Sequence, residues 1–205
     1  GLDVCEGALC QLAGPGPEPF TGRARLTTDQ RPGEVFIPIH WSGCFASQGV
    51  ATNLISAVTD PVSGQPESKH GVASLRRLAR GWQARLMLRP GNDKQPGLTE
   101  RCDYWCRQPL AHSDSWWLAG SQTRNWGTEV AGLLAGEPQL VMADSAQGRF
   151  RAARVVDGRL VAVLLVDSDV GLLPDLAWLD ECFAADRLSP DQRQCLLAGR
   201  SVDTE

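Results

Sequence analysis

The sequence predicts a mainly β fold that continues into an α+β module. In the first part of the chain, short apolar or β-branched segments alternate with turn-rich stretches, a pattern typical of small barrels. Further along, two β-rich runs are joined by Asp157-Gly158, which predicts a hairpin, and two amphipathic segments with helix signals follow. With 205 residues, 42% of them hydrophobic, the chain can bury the core of one large or two small domains.

The predicted strands of the first part differ in how they are bounded. A proline-rich loop separates the first two, and the third is a β-branched run that we expect to be buried and to end or bulge at Pro38, since proline cannot donate to a sheet ladder. From Trp82 to Arg89, apolar and polar residues alternate, as in a half-buried strand. The predicted strands before Trp82 are Ala8–Ala13, Arg23–Thr27, Val35–Ile39 and Gly71–Leu75.

The segment Arg89–Glu100 contains two Pro-Gly pairs and several polar residues, so it predicts a domain boundary. We therefore expect a barrel domain over residues 1–90, a linker over 91–100 and an α+β module over 101–205. In the module, Thr128–Ala135 followed by Gly136 predicts a short helix, because glycine is a common helix stop.

The strongest local signals lie near the end of the chain. Arg149–Val156 and Arg159–Val166 are joined by Asp-Gly, which favours a type I′ hairpin. After Pro174, apolar residues recur at helical spacing. Ser189, with proline next and Gln192 closing a capping box, predicts the start of a last helix that ends at Gly199.

Composition excludes several function classes. The net charge of -4 argues against a nucleic-acid surface as the main function. No apolar stretch is long enough to cross a bilayer, and no signal peptide begins the sequence, so we expect a cytoplasmic protein without membrane contact. The abrupt start at Gly1, without an initiator Met, leads us to expect a piece of a longer polypeptide.

The seven cysteines are irregularly spaced and do not resemble a disulfide framework. Cys102 and Cys106 form a close pair, but a zinc or iron–sulfur site needs four ligands in tighter spacing. We therefore expect reduced, partly buried thiols and no metal site there.

The segment from Gly33 to Lys69 carries the residues most suited to binding. After the third predicted strand come donors and flat surfaces suited to a polar heterocycle, and then a turn that leads to Lys69. A strand that feeds polar loops is how a rigid scaffold presents a binding site. The first cluster is His40, Trp41, Ser42, Gln48, Thr52 and Asn53, and the turn contains Asp60, Pro61, Ser63 and Gly64.

This segment resembles a known family. The order F-I-P-x-H-W, then N-L-I-S, then D-P-x-S-G-Q-P-E-x-K resembles the C-terminal cofactor-binding domain of the molybdopterin oxidoreductases, most of all the assimilatory nitrate reductases. The resemblance runs from the first residue to about Leu88. The phrases at Gly148–Leu160 and Leu196–Arg200 are similar to sequences that follow this domain in the same enzymes, and they are also compatible with the small module of a flavin-linked reductase.

The resemblance implies a partial double-psi β-barrel that holds bis-molybdopterin guanine dinucleotide, the molybdenum cofactor. It implies that Asn53 and Lys69 contact the cofactor, and we add His40 and Gln48 to the cofactor-binding set. Trp41, with His40, would line the approach of substrate. The spacing between Asn53 and the Asp-Pro pair is one residue shorter than the family pattern, so Thr52 could take the place of Asn53.

Each of these residues also has a purely structural interpretation. Asn53 could cap a short segment Leu54–Val58, since Asn is a favoured N-cap. Trp41 could be a core aromatic and His40 a structural histidine. Lys69 could be an ordinary surface lysine. The order in which they occur favours the functional interpretation.

The leading hypothesis is the C-terminal region of a molybdenum-dependent nitrate reductase, which turns nitrate into nitrite. No catalytic or metal-ligating residue is assigned to this chain, because the resemblance places the molybdenum ligand and a [4Fe–4S] cluster in upstream sequence. The implied partners are nitrate, the rest of the enzyme and an electron-donor protein or domain, and we expect the isolated chain to be inactive. The alternatives are another enzyme of the superfamily, such as a formate dehydrogenase, and a free-standing binding module without catalysis.

Overall fold

The computed structural model describes residues 3–67, 69–90, 97, 99–168 and 173–200. They fall into two compact units, Gly1–Ala79 and Arg80–Glu205. Within the described ranges, no helix has the length and apolar character needed to cross a membrane.

The first unit contains a small antiparallel sheet in the order β2-β1-β3. Leu12 and Phe20 pair across the sheet and pack with Ala51 and Leu54 in a small buried cluster. Ile37 and Leu75 pack against this cluster from its edge. The strands are β1 (Leu9–Ala13), β2 (Phe20–Arg23) and β3 (Ser74–Arg77).

The prediction of a buried strand at Val35–Ile39 is wrong. None of these five residues lies in a strand, and Phe36 is 71% exposed. Pro38 removes one ladder donor. Only Ile37 of this segment is partly buried in the core, so the apolar run lies largely on the surface.

Two other strands of the first unit are displaced along the sequence from their predicted positions. The predicted strand at Arg23–Thr27 is β2, which begins at Phe20 because that aromatic ring fills the core. The predicted strand at Gly71–Leu75 is β3, which begins at Ser74 and continues to Arg77. Pairing with β1 sets where both strands end. Arg23, the last residue of β2, lies opposite Leu9, and Arg77, the last residue of β3, lies opposite Cys10.

The second unit is a six-stranded antiparallel sheet in the order β5-β6-β4-β9-β8-β7. Helices cover both of its faces. The strands are β4 (Trp82–Leu88), β5 (Tyr104–Pro109), β6 (Asp114–Gly120), β7 (Leu140–Asp144), β8 (Arg149–Val156) and β9 (Arg159–Asp167). The helices are α1 (Trp126–Leu133), α2 (Leu176–Ala184) and α3 (Pro190–Ala198).

The predicted strand from Trp82 is confirmed, but its predicted half-burial is wrong. Leu86 points into the cluster on the α1 face, and Met87 points into the cluster that α2 and α3 complete. Both side chains are fully buried. Helices on both faces of the sheet give β4 two buried faces, which its alternating sequence does not reveal.

The local signals of the second unit are confirmed. Asp157 and Gly158 have φ values of 51° and 86°, the left-handed conformations that a type I′ turn requires. Ser189 and Gln192 form the predicted capping box, and Gly199 ends α3 with φ of 71°. Helix α1 ends close to its predicted position, with Ala135 in the left-handed region.

The fold class, mainly β followed by an α+β part, is confirmed. The structural division falls between Ala79 and Arg80, ahead of the predicted linker at 91–100, most of which lies outside the described residues. The reason is strand pairing: β4 lies between β6 and β9, so it belongs to the second sheet. The pattern of a strand predicts that it forms, not which sheet it joins.

Candidate functional site

The candidate residues of the first unit begin with Gln48, which is fastened to strand β2. The Thr21 hydroxyl donates a 2.6 Å hydrogen bond to Oε1 of Gln48, and the Thr21 backbone N–H donates a 2.9 Å bond to the Gln48 carbonyl oxygen. Thr21 is 2% exposed, whereas Gln48 lies at the surface with a φ of 53°. A non-glycine residue in this conformation carries backbone strain of about 1–2 kcal/mol.

Asn53 lies a few residues further on, in a 3-10 helix that spans Ala51–Leu54. Ala51 and Leu54 are buried in the core, while Asn53 is half-buried on the other side. Val50 occupies the N-cap position of this helix, and no helix begins at Leu54. The interpretation of Asn53 as the cap of a Leu54–Val58 segment is therefore wrong.

Three glycines hold this short helix in place, and we call them the glycine seat: Gly14, Gly16 and Gly71. A Cβ atom at Gly14 would lie 2.7 Å from the Leu54 Cα, one at Gly16 would lie 2.2 Å from the Asn53 carbonyl oxygen, and one at Gly71 would lie 2.5 Å from the Leu54 carbonyl oxygen. Only glycine permits such close approaches of one backbone to another.

The glycine seat brings together the chain segments of two predicted site residues. Gly71 contacts the backbone just after Asn53, and Lys69 precedes Gly71 by two positions. Lys69 is exposed. The segments that carry the Asn53 amide and the Lys69 ammonium group are therefore anchored to each other through backbone contacts.

His40 and Trp41 follow Pro38 in a turn, in which the Trp41 N–H donates a 3.3 Å bond to the Pro38 carbonyl oxygen. His40 is exposed and Trp41 is half-buried. Over the described part of the first unit, the structure records no hydrogen bond from either side chain to Gln48, Asn53 or Lys69. Their membership of the site rests on sequence order alone.

The turn before Lys69 is closed by its own aspartate. The Asp60 carboxylate accepts hydrogen bonds from the N–H groups of Val62 at 3.0 Å and Ser63 at 2.7 Å, and from the Ser63 hydroxyl at 2.9 Å. These bonds, first of all the one from the Ser63 backbone, lower the pKa of Asp60. Because the carboxylate occupies both N–H groups, the turn cannot use them to hold a phosphate, in spite of its Ser-Gly composition.

The donors that remain suit a large, oxygen-rich group. Gln48 and Asn53 offer amide N–H groups, and Lys69 offers a compact cation, which serves as a point-charge partner for phosphate. Apolar side chains lie exposed on neighbouring segments, with Phe36 71% and Phe45 43% exposed. Amide, ammonium and flat apolar groups are the types of side chain that bind phosphates, carbonyls and rings.

The cysteines of the second unit form no metal site among the described residues. Cys102 is half-buried, and burial raises the pKa of its thiol to about 11. Cys106 lies on β5, where it faces Trp117 of β6.

Sequence reasoning missed Thr21 and the glycine seat. Thr21 lies between the predicted proline-rich loop and the predicted strand at Arg23–Thr27, and its role depends on a contact with a residue 27 positions away. Gly14 and Gly16 belong to a proline-rich loop whose composition predicts only irregular structure. No local pattern in the sequence indicates that this loop packs on the backbone of Asn53.

Comparisons with known proteins give matches, one of which covers the segment that carries the candidate residues. Residues 19–73 match a protein family described as "Molydopterin dinucleotide binding domain". The chain is 32% identical to a nitrate reductase of Klebsiella oxytoca over 139 residues, which is 62% of this chain and 15% of that enzyme. No solved structure gives a significant match.

The match thus spans 15% of the length of the curated relative. The matched domain includes every predicted site residue, from His40 to Lys69. The two matches confirm the resemblance that the motifs indicate: residues 19–73 are similar to the molybdopterin dinucleotide binding domain, and a longer stretch of the chain is similar to a nitrate reductase.

Proposed function

We propose that this chain is the C-terminal cofactor-binding region of a molybdenum-dependent nitrate reductase with an assimilatory, cytoplasmic role. The observation that supports this most strongly is the coincidence of two matches: the dinucleotide-binding family covers the candidate residues, and the chain is similar to a nitrate reductase. In this proposal the cofactor is bis-molybdopterin guanine dinucleotide. When bound, it supplies the oxygen-atom and electron chemistry, while the protein provides binding and orientation.

The proposed roles follow from the chemistry of the side chains. Asn53 donates amide N–H groups to acceptor atoms of the pterin, and Gln48 and His40 provide further donors. Lys69 places a positive charge beside a phosphate or the pterin. Trp41, half-buried after the turn at Pro38, lines the approach of nitrate.

The overall reaction consumes two electrons and two protons per nitrate and releases nitrite and water. None of the candidate residues is a redox group, so the electrons come from an external donor protein or domain through a [4Fe–4S] cluster in the rest of the enzyme. The proposal therefore makes this chain one wall of a site that other parts of the polypeptide complete.

The exposed apolar side chains are unevenly distributed between the two units. Of the eleven large hydrophobic residues that are exposed among those described, nine lie in the first unit. Val62 and Val72 are 94% and 92% exposed, and the others include Phe36 and Phe45. In the proposed enzyme, the rest of the polypeptide would cover these side chains.

The test uses the full-length protein that contains these residues, produced in a host that makes molybdenum cofactor. We expect nitrite formation with a reduced viologen dye as electron source, and no formate oxidation. The Trp41→Ala variant should keep its molybdenum and show a higher KM for nitrate. Formate oxidation without nitrate reduction would favour the alternative enzyme, and a full-length protein without molybdenum would favour the non-catalytic module. The purified 205-residue chain alone should be inactive.

A further inference from the structure

The hydrogen bond between Thr21 and Gln48 has a feature that the family match does not explain. A buried hydroxyl, on a residue only 2% exposed, is used to hold the side chain of a surface residue. Buried polar groups are normally satisfied within the interior, often by the backbone. Here the partner is the amide of Gln48, 27 residues along the chain.

The backbone at Gln48 adds a second, independent observation. Its φ of 53° is a conformation that glycine adopts without strain, and Gly49 is the very next residue. Gly49 is used for packing, since a Cβ there would lie 2.9 Å from the Ala46 Cβ. The chain therefore places a strained glutamine at the left-handed position. Strain of this kind is found where a side chain is held for function.

The geometry of the bond determines which face of the amide is presented. Oε1 of Gln48 accepts the Thr21 hydroxyl, so Nε2 lies on the other side of the amide carbon. The Gln48 carbonyl oxygen is also fixed, by the Thr21 backbone N–H. Side chain and backbone of Gln48 are thus both hydrogen-bonded to β2. The side chain is held in one rotamer, which fixes the direction of the two N–H donors of Nε2.

We propose that Thr21 is a positioning residue that holds the Gln48 amide so that its Nε2 donates hydrogen bonds to an acceptor oxygen of the bound dinucleotide. This inference rests on the proposed function, because it needs the cofactor to be present. It adds a residue outside the F-I-P-x-H-W, N-L-I-S and D-P-x-S motifs. A donor fixed before binding loses less conformational entropy when the ligand arrives.

The experiment compares how fast the full-length protein releases its cofactor. After transfer into buffer without cofactor, guanine nucleotide that leaves the protein is measured over time in wild type, Thr21→Val and Thr21→Ser. Valine has the shape of threonine without the hydroxyl, whereas serine keeps the hydroxyl. We expect release at least about tenfold faster in Thr21→Val, and within about twofold of wild type in Thr21→Ser. Thr27→Val, an exposed threonine bonded only to Asp29 in the structure, is the matched control and should behave as wild type.

A Gln48→Glu variant separates positioning of the amide from mere anchoring of the loop. The carboxylate can still accept the Thr21 hydroxyl, so the loop stays fastened and the melting temperature should be unchanged. The N–H donors are gone, so the cofactor should leave at least about tenfold faster. This variant also tests the inference if Thr21→Val fails to fold.

Each outcome decides a different question. Cofactor release at the wild-type rate from Thr21→Val, or from Gln48→Glu, would overturn the inference. The proposed function would still stand, because the wild-type protein contains cofactor. Absence of molybdenum and guanine nucleotide from the wild-type full-length protein would instead overturn the proposed function itself.

Discussion

The backbone N–H of Gly16 donates a 3.0 Å hydrogen bond to the carbonyl oxygen of Asn53. This bond fastens the proline-rich loop of the first unit to the short helix that carries the candidate cofactor amide. The approach is so close that a Cβ at position 16 would lie 2.2 Å from the same oxygen. The position of Asn53 is therefore fixed through its backbone, by contact with Gly16, and its side chain is available for a ligand.

Replacement of Gly16 by alanine should displace Asn53. The added methyl group cannot fit at 2.2 Å, so the loop or the short helix must move, at a cost of about 1–3 kcal/mol. We expect a lower free energy of unfolding in urea and a lower cofactor content of the full-length protein.

Gly43→Ala is the matched control for this change. A Cβ at Gly43 meets no atom within 4 Å, and its φ lies outside the left-handed region. Stability and cofactor content should stay at the wild-type level. Equal behaviour of the two alanine variants would show that the glycine seat does not fix Asn53.

In the second unit, a buried ion pair joins β8 to β9. Asp167 is fully buried and pairs with Arg151 at 2.8 Å and Arg149 at 3.3 Å. Asp167→Asn removes the negative charge and leaves the buried Arg151 guanidinium without a counter-charge. The free energy of unfolding in urea should therefore fall by about 3–5 kcal/mol. The exposed pair of Arg159 with Asp186 provides the control.

Asp186→Asn should change the free energy of unfolding by less than about 1 kcal/mol, because its carboxylate is 98% exposed. If both variants lose the same small amount of unfolding free energy, the buried pair contributes no more to stability than a surface pair.

The thiols should differ strongly in reactivity towards iodoacetamide. Burial raises the pKa of Cys182 to about 12 and that of Cys102 to about 11, so both remain protonated at pH 8. The thiolate is the reactive form. Cys5 and Cys44 are exposed and should be alkylated first when the native chain is labelled and analysed by peptide mass spectrometry. Alkylation of Cys182 at the rate of Cys44 in folded protein would contradict the packing of α2.

Elements governed by neighbouring residues could be predicted from the sequence. The capping box of Ser189 and Gln192 and the Asp-Gly hairpin turn depend on a few adjacent positions, and both are as predicted. Val35–Ile39 has strand-like residues, but a strand also needs a partner, and the described residues give it none. The sequence order predicts the candidate residues as a group. It does not predict the contacts between distant segments that hold them in place, such as the one between Gly71 and Leu54.

The central claim is that the loops around Asn53 and Lys69 hold a molybdopterin dinucleotide. The most direct measurement is the molybdenum and guanine nucleotide content per chain of the purified full-length protein, compared with its Asn53→Ala/Lys69→Ala variant. Asn125→Ala, at an exposed position whose side chain makes no capping bond, controls for the loss of an asparagine. We expect both contents to be at least about tenfold lower in the double variant and unchanged in the control. Wild-type amounts of molybdenum and nucleotide in a folded double variant would contradict the assignment.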